Sequence, residues 1–527
     1  MALILDRACF APNESVTGTT PGRGWIVASR LGKNVIEVAC DEHFDLGPMP
    51  EGGYSIFWRN AEGHSQSSAF EVLADPWGRL RYGFVSDFSD AIDVSAHAEW
   101  VKRLHLTAVQ FYDWAWSHEF LVGPDETYGD PLGAQVSIEV VRELIRSYTD
   151  SGAVSCGYAA VYAVNKDGWS RWSDIGLRRT DGTPHQLGED FLWIVDPADP
   201  RWLDHFITEL RKANELGFPA FHLDQYGWPK LASRLDGKAV NLAEAFPIML
   251  NKIIAEIPEC RFIFNNVNDF PTWSTSQALQ HATYIEVWEP HETYGDLANL
   301  VRQARAANPD RPIVLSAYLN QFAQIQDIDQ EIAANAALSL AIASIASGGA
   351  AHLITGGEGR VLHHPYYVTN HLAVPSTREA LIAAFDFIVA AGDLLYDTTR
   401  SEVTKISAFG INEEIRFAGP FEFSPDARPG TVWARVFQTA TGLTIHFINL
   451  VDQTDDIWDA PKSPIVANGD VQVSIEAAGL APGAVIGAAQ TGSVIQEIGT
   501  PLVGTRFEFS VKLTGAWTIA HVSFRGR

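Results

Sequence analysis

The chain is poor in cysteine, in basic residues and in long apolar runs. Its four cysteines, Cys9, Cys40, Cys156 and Cys260, show no CxxC spacing, so the sequence indicates neither a disulfide framework nor a zinc site. Lysine and arginine number 38 against 64 acidic residues, which gives a net charge of −26. Nucleic acid and anionic membrane surfaces would repel such a chain, so we expect neither as a partner.

Targeting segments and cofactor motifs are missing as well. Residues 1–10 show no basic region before an apolar stretch, and no apolar run reaches the ~18 residues that a membrane helix needs. We therefore expect a cytoplasmic protein, or a secreted one if a leader was removed. The GxxxxGK[ST], HExxH, GxSxG and EF-hand motifs are absent, and we expect no cofactor and no metal.

Aromatic residues, in contrast, are abundant. The chain contains 16 Trp, 28 Phe and 14 Tyr. Aromatic faces pack against the C–H faces of sugar rings, so an acidic and aromatic-rich chain suits a carbohydrate ligand. Most of these side chains are expected in the core.

The hydrophobic periodicity divides the chain into three regions. Residues 1–78 alternate short apolar runs with turns at roughly 8 to 12 residue spacing, which predicts an antiparallel β-sandwich. Residues 79–400 alternate strand and helix patterns eight times, which favours a (β/α)₈ barrel over an open doubly wound sheet, because no glycine fingerprint follows the first strand. Strand patterns return in residues 401–527 and predict a second all-β domain. The eight barrel-strand candidates are RYGFVSDF, LTAVQFYDW, AVSCGYAAVYAV, FPAFHLDQYG, RFIFNNVN, ATYIEVWE, RPIVLSAYLN and AAHLITGG.

Two carboxylates stand at the ends of the fourth and sixth candidate strands. Asp224 lies in FHLDQYG and Glu286 in YIEVWE. Strand alternation places His222 on the face of Asp224, and Trp288 on the face of Glu286. The two acids are 62 residues apart, which fits two barrel units of about 31 residues each, so both should open onto the C-terminal end of the barrel.

Such a pair fits a retaining glycosidase, which needs an ionised carboxylate as nucleophile and a protonated carboxylic acid about 5–5.5 Å away. Asp224 stands beside polar His222 and Gln225 and can stay charged, whereas Trp288 and the neighbouring charge should raise the pKa of Glu286. The alternative is that both acids are structural and make only caps or salt bridges.

The remaining site candidates are polar or aromatic residues at strand ends. His222 is either a partner of Asp224 or of a substrate hydroxyl, or a core histidine. Of Asn265 and Asn266 only one can face the pocket, and we assign Asn266 to it. The long connection 162–198, with Trp169, Trp172 and Trp193, is expected to fold over the site. Further candidate sugar contacts are Tyr112, Asp113, Trp114, Gln225, Trp288, Tyr318, Asn320, Glu358 and Tyr366.

These motifs together resemble glycoside hydrolase family 66, the dextranases and cycloisomaltooligosaccharide glucanotransferases. ADPWGRLRYGFVSDF is similar to the family's entry into the barrel, QFYDWAWSHEF to its second strand and LWIVDPADPRW to the segment before its fourth repeat. FHLDQYG and YIEVWE are similar to the nucleophile and acid/base motifs, and HLITGGEG and FDFIVAAGDLLYD to the end of the barrel.

The resemblance implies an immunoglobulin-like domain, a barrel and a Greek-key β-domain, acting on α-1,6-linked glucan with retention. By it Asp224 is the nucleophile and Glu286 the acid/base. The family's glucanotransferases carry an inserted domain for which this chain has no room between strands seven and eight, which favours hydrolysis of dextran or isomaltooligosaccharides. Three alternatives stay open: a cycloisomaltooligosaccharide glucanotransferase, an intracellular hydrolase of cyclic or linear isomaltooligosaccharides, and a non-catalytic sugar-binding protein. No oligomeric state is predicted.

Overall fold

Eight parallel strands form the centre of the structure, a computed structural model that describes residues 2–189, 191–365 and 370–525. Each strand pairs with the next one along the chain, and a parallel bridge between Phe84 and Gly356 joins the first strand to the segment after the eighth. The sheet therefore closes, and the predicted barrel is confirmed. Barrel strands one to eight are Tyr82–Val85, Ala108–Phe111, Val154–Ala160, Ala220–Asp224, Arg261–Val267, Ala282–Glu286, Ile313–Ser316 and Ala351–His352.

A helix follows each barrel strand and covers its outer face. In Ile138–Asp150, for example, Val141, Leu144, Ile145 and Tyr148 are buried, which is the three and four residue spacing of one helix face. The fifth helix is a single turn. The helices after strands one to eight are Val94–Arg103, Ile138–Asp150, Pro200–Leu216, Leu242–Glu256, Thr272–Thr275, Tyr294–Ala307, Ile328–Ala346 and Pro375–Ala390.

Side-chain caps fix where several of these helices begin. Asp93, Asp199 and Asp327 accept backbone N–H groups of the first turn, and Thr293 forms a capping box with Asp296. These caps fix the residue at which each preceding loop ends and its helix begins. The short elements within the loops are strands Thr127–Gly129, Gln135–Ser137, Ala163–Asn165, Gln186–Leu187, Leu192–Ile194, Leu231–Ser233, Ala239–Asn241, Arg360–Val361 and His371–Leu372, helices Trp169–Trp172, Gly392–Leu395 and Thr404–Ser407, and 3₁₀ turns Pro76–Arg79, Asn320–Gln324 and Ala489–Thr491.

The region before the barrel consists of two antiparallel sheets of three and four strands. Val16, Ile26, Ile56 and Phe70 are among the side chains buried between them. The strands alternate buried and exposed residues at the sheet edges, as expected when one face packs and the other meets water. They are Ile4–Leu5, Ser15–Thr19, Gly24–Arg30, Lys33–Cys40, His43–Pro48, Gly52–Arg59 and Ser65–Val72.

The region after the barrel is again built of two sheets, mostly antiparallel. Val432, Phe447, Val473 and Phe509 belong to the core between them. The predicted fold class, a barrel with a β-region on either side in sequence, is therefore confirmed, while domain boundaries at 78 and 400 stay predictions. The strands are Ser401–Glu402, Ile415–Ala418, Phe423–Ser424, Val432–Gln438, Gly442–Asn449, Gly469–Glu476, Ala484–Ala488, Ile495–Ile498, Leu502–Val503, Arg506–Leu513 and Trp517–Ser523.

Among the helices that the structure describes, none combines the length and the apolar character that crossing a membrane requires.

Candidate active site

A cavity of about 770 Å³ opens at the C-terminal end of the barrel. Its lining comes from the ends of the parallel strands and from the loops that follow them, the place where barrel enzymes carry their sites. Both predicted acids lie in it. The sequence candidates that line this cavity are Tyr112, Asp113, His222, Asp224, Gln225, Glu286, Trp288 and Tyr318.

One amide group connects the two carboxylates. The side-chain nitrogen of Asn265 donates to Asp224 Oδ1 at 2.7 Å and to Glu286 Oε2 at 2.9 Å. The two acceptor oxygens can therefore be no farther apart than the sum of these distances, about 5.6 Å. The hydroxyl of Tyr158 donates to the other oxygen of Asp224 at 2.7 Å, so neutral donors hold both oxygens of that residue.

The surroundings of the two acids change their pKa values. Burial raises the pKa of Asp224, while hydrogen bonds from Asn265 and Tyr158 favour its charged form. Burial also raises the pKa of Glu286, and the charge of Asp224 raises it further. Asp224 is therefore the member of the pair that ionises more readily, and Glu286 the one that keeps a proton.

Asp113 is the third acid of the cavity. Its backbone is in the left-handed region, with φ of 49°, which is uncommon for a residue other than glycine and is often seen at functional sites. Burial raises the pKa of Asp113 to about 8, and the charges of Asp130 and Asp224 act in the same direction. At neutral pH its carboxyl group is a hydrogen-bond donor as well as an acceptor.

His222 lies at the floor of the cavity, one layer below Asp224. Its Nδ1 is 3.1 Å from the hydroxyl of Tyr82, and its ring meets Tyr284 edge-on at 4.7 Å. Burial lowers the pKa of His222 to about 3, so the imidazole is neutral. These contacts favour a core histidine that supports the layer carrying the acids.

The family follows from the sequence itself. Residues 53–486 match the profile of Glycosyl hydrolase family 66, which is well over half of the chain. This protein belongs to glycosyl hydrolase family 66. Two relatives from Niallia circulans, both named cycloisomaltooligosaccharide glucanotransferase, are 26% and 25% identical over 286 and 291 residues. The matched stretches are 48% and 49% of this chain but only 29% and 30% of those relatives.

Solved structures share the fold. A Paenibacillus cycloisomaltooligosaccharide glucanotransferase complexed with cycloisomaltoheptaose superposes with a TM-score of 0.89 at 19% identity, over 99% of both chains. The maltogenic α-amylase AmyB from Thermotoga neapolitana reaches a TM-score of 0.52 at 11% identity, over 85% of this chain and 99% of that one. At sequence identities this low, the superpositions show a shared fold and nothing more.

Two of the predicted sugar contacts of this family 66 protein lie in the barrel wall instead of the cavity. Asn266 is buried behind the strand, where its side chain donates to the carbonyl of Tyr284 and accepts from Thr275. The assignment of Asn266 to the pocket is thus corrected to Asn265, its neighbour on the opposite face. Trp114 turns away after strand two ends, donates to the carbonyl of Tyr158 and packs 4.6 Å from the ring of Phe218.

Two further candidates have partners outside the cavity. Asn320 donates through its backbone and its side chain to Asp459 of the C-terminal region, both at 2.7 Å. Glu358 forms an ion pair with Arg378 on the last barrel helix. Both follow strand ends in loops, where alternation no longer determines direction. Tyr366 lies outside the described residues.

The sequence analysis overlooked several residues that line the cavity, among them Tyr158, Tyr226, Trp228, Leu187 and Phe191, and it considered Asn265 but assigned the pocket to the neighbouring residue. The connection 162–198 does reach the cavity, but through Leu187 and Phe191 instead of its tryptophans. Trp169 stacks on Trp193 at 5.7 Å, and Trp172 packs edge-on against Trp202. Tyr158 pairs in register with His222 and therefore shares the face of Asp224, but this register between strands three and four is not visible in the sequence.

No cluster of three or more His, Cys, Asp or Glu side chains suited to a metal ion occurs in residues 2–189, 191–365 and 370–525. The chemistry available at the cavity is that of two unequal carboxylic acids held by neutral donors.

Proposed function

We propose that this protein is a retaining enzyme of α-1,6-linked glucans, with glucan transfer among isomaltooligosaccharides, cyclic ones included, as its main reaction. The observation that supports retention is the shared amide of Asn265, which keeps the carboxylate oxygens of Asp224 and Glu286 within about 5.6 Å. Retaining glycosidases have carboxyl groups about 5–5.5 Å apart, whereas inverting ones need about 6.5–9.5 Å to admit water.

In the first step the carboxylate of Asp224 attacks the anomeric carbon while Glu286 gives its proton to the departing glycosidic oxygen. The bond to that oxygen breaks, and a covalent glycosyl ester of Asp224 forms. In the second step Glu286, now ionised, takes a proton from a sugar hydroxyl or from water. The oxygen so activated attacks the anomeric carbon and releases Asp224, which gives transfer or hydrolysis with net retention.

The aromatic lining supports a sugar-chain substrate. Tyr112, Tyr226, Trp228, Trp288 and Tyr318 all border the cavity. Aromatic rings bind the C–H faces of sugars, and their hydroxyl or indole N–H groups bind sugar hydroxyls. The names of the relatives support α-1,6-linked gluco-oligosaccharides as the substrate class.

The relatives also favour transfer over simple hydrolysis, since the curated proteins that match are glucanotransferases. Hydrolysis of dextran, a dextranase activity, is the second candidate. Between strands seven and eight the chain contains only the turn Asn320–Gln324 and the helix Ile328–Ala346. The Paenibacillus glucanotransferase nevertheless superposes over 99% of its own chain, so the expected inserted domain does not separate the two activities, and product analysis has to do so.

Product analysis tests the proposal. Dextran, linear isomaltooligosaccharides and cycloisomaltooligosaccharides are each incubated with the protein, and the products are identified by mass spectrometry and chromatography. Cyclic products from dextran, or opening of the cyclic substrate with transfer to a linear acceptor, are expected. Linear products alone would establish the dextranase activity instead, and an absence of turnover on all three would contradict the proposed linkage.

A further inference from the structure

A segment of the C-terminal region crosses the loops beside the candidate acid. Residues 455–462, named here the C-terminal strap, form an antiparallel bridge between Ile457 and Thr293. The backbone carbonyl of Asp456 accepts the N–H of Tyr294 at 2.9 Å, and the N–H of Trp458 donates to the carbonyl of Glu292 at 2.9 Å. The strap thus pairs through backbone hydrogen bonds with the loop that leads into the sixth barrel helix, which begins at Tyr294.

Two side chains of the strap strengthen this contact. Trp458 is buried and its indole nitrogen donates to the carbonyl of His291 at 2.7 Å. Asp459 accepts two hydrogen bonds at 2.7 Å from the backbone and side-chain nitrogens of Asn320. One side chain therefore holds the loop after strand six, residues 287–293, and the other holds the loop after strand seven, from residue 317.

Each of these two loops carries a residue that lines the cavity together with Glu286. Trp288 belongs to the first loop and Tyr318 to the second, and their rings are 5.7 Å apart. Hydrogen bonds from both side chains lower the pKa of Glu286 and so oppose the effects of burial and of Asp224. Trp288 is 39% exposed at the edge of the cavity, so its position depends on the loop that bears it.

We propose that the C-terminal strap positions Trp288 and Tyr318, and through them sets the orientation of Glu286 toward the leaving-group oxygen. Trp458 and Asp459 are then positioning residues contributed by a region that does not border the cavity. This role rests on the proposed function, in which Glu286 is the proton donor. The strap makes acid catalysis, and not nucleophilic attack by Asp224, depend on the docking of the C-terminal region.

Kinetics with two leaving groups test this role. Isomaltotriose needs its glycosidic oxygen protonated, whereas 4-nitrophenyl α-isomaltoside releases a stable phenolate and needs little acid assistance. Misplacement of a catalytic group by about 1 Å costs up to about 100-fold. We therefore expect Asp459→Ala and Trp458→Phe to lower kcat/KM about 10-fold or more on isomaltotriose, but only about 2-fold or less on the aryl glycoside. Glu286→Gln, which removes the acid itself, should also affect isomaltotriose more than the aryl glycoside.

A matched control is available in the same region. Asp452 also accepts two backbone hydrogen bonds, from Val466 at 2.9 Å and Ala467 at 2.8 Å, but these lie wholly within the C-terminal region. Asp452→Ala should leave the ratio of the two kcat/KM values at the wild-type level. Equal losses on both substrates for Asp459→Ala and Trp458→Phe would overturn the positioning role.

Amide hydrogen exchange tests, without any need for enzyme activity, whether the strap holds the two loops in place. Amide exchange in residues 287–294 and 318–324 is expected to rise at least about 10-fold in Asp459→Ala, since one lost anchor of about 1.4 kcal/mol corresponds to that factor. The same peptides should be unchanged in Asp452→Ala. If the wild type cleaves neither substrate, the proposed function fails but the exchange result still tests the strap, and unchanged exchange in Asp459→Ala would refute it.

Discussion

Two groups of carboxylates, one between the first region and the barrel and the other in the cavity, have opposite kinds of partners. In the first group Glu71 is fully buried and pairs with Arg81 at 2.7 Å and with Arg79 at 2.9 Å. Asp393 pairs with Arg79 and with Arg30, both at 2.7 Å. These charges join the region before the barrel to the short helix Gly392–Leu395, which follows the last barrel helix, and each of these two acids has at least one cation as its partner.

The carboxylates that line the cavity have neutral partners instead. Asp224 and Glu286 share the amide of Asn265, and within the described ranges no salt bridge reaches either of them or Asp113. An acid without a cation resists ionisation when it is shielded from water, and for Glu286, whose pKa the charge of Asp224 raises further, this keeps a proton available near neutral pH. Paired charges hold regions together, whereas unpaired acids supply chemistry at some expense of stability.

The largest effect is expected at the nucleophile. Asp224→Asn keeps the size of the side chain and removes the attacking carboxylate, so the rate of sugar release should fall about 10⁴-fold or more. The fall is measured on isomaltooligosaccharides at saturating substrate, with the thermal unfolding midpoint as control. A variant that folds and retains more than a tenth of the activity would assign the nucleophile elsewhere.

The first group should respond in stability. Arg81→Met leaves Glu71 with one fewer cation in a buried setting, and breaking such a pair costs about 3–5 kcal/mol. Chemical denaturation is expected to show this loss, while kcat per folded molecule stays at the wild-type value. Arg23→Met, which breaks a pair that is 92% and 86% exposed, is the control and should change stability by less than about 1 kcal/mol. A loss of kcat in Arg81→Met would show that the two groups are not independent.

The shared amide predicts a shift in pH dependence. Asn265→Ala removes a donor that lowers the pKa of both acids, so both pKa values rise. Activity requires Asp224 ionised and Glu286 protonated, and therefore both limbs of the kcat/KM profile should move to higher pH. Asn266→Ala, which faces away from the cavity, should lower stability without moving either limb. If both limbs of the kcat/KM profile keep their wild-type pH in Asn265→Ala, the amide of Asn265 does not control the two acids and the account of the shared amide is wrong.

The last prediction concerns the stability cost of a buried acid that has no cation as its partner. The pKa of Asp113 is about 8 in the folded protein and about 3.9 in an unfolded chain, so its contribution to stability is present at low pH and is lost as the pH rises toward 8. The asparagine of Asp113→Asn does not ionise, so the variant does not lose stability in this way as the pH rises. Asparagine also tolerates the left-handed backbone at this position. The unfolding midpoint of the variant should exceed that of the wild type by a margin that grows between pH 5 and 8. A margin independent of pH would refute the raised pKa.

Strand alternation predicted which side chains of strands four and six face the cavity. His222, Asp224, Glu286 and Trp288 all line the cavity as expected from their spacing. The order and number of the barrel strands were also predicted from the sequence, because buried parallel strands and amphipathic helices have different periods. These features depend on local pattern alone.

Register and loop direction were not predictable in this way. Asn265 pairs with Tyr284 across strands five and six, and only this register shows that it faces the acids. Trp114 and Asn320 stand beyond the last residues of their strands, where turns and the C-terminal region determine their partners. Contacts between distant parts of the chain decide such positions.

The central claim, that Asp224 and Glu286 act as a retaining pair on an α-1,6 linkage, is tested most directly by the anomer released first. Proton NMR during cleavage of a linear isomaltooligosaccharide follows the new reducing end before mutarotation mixes the anomers. The account predicts that the α-anomer appears first and the β-anomer later. A β-anomer that appears first would show inversion and would contradict the roles given to the two acids.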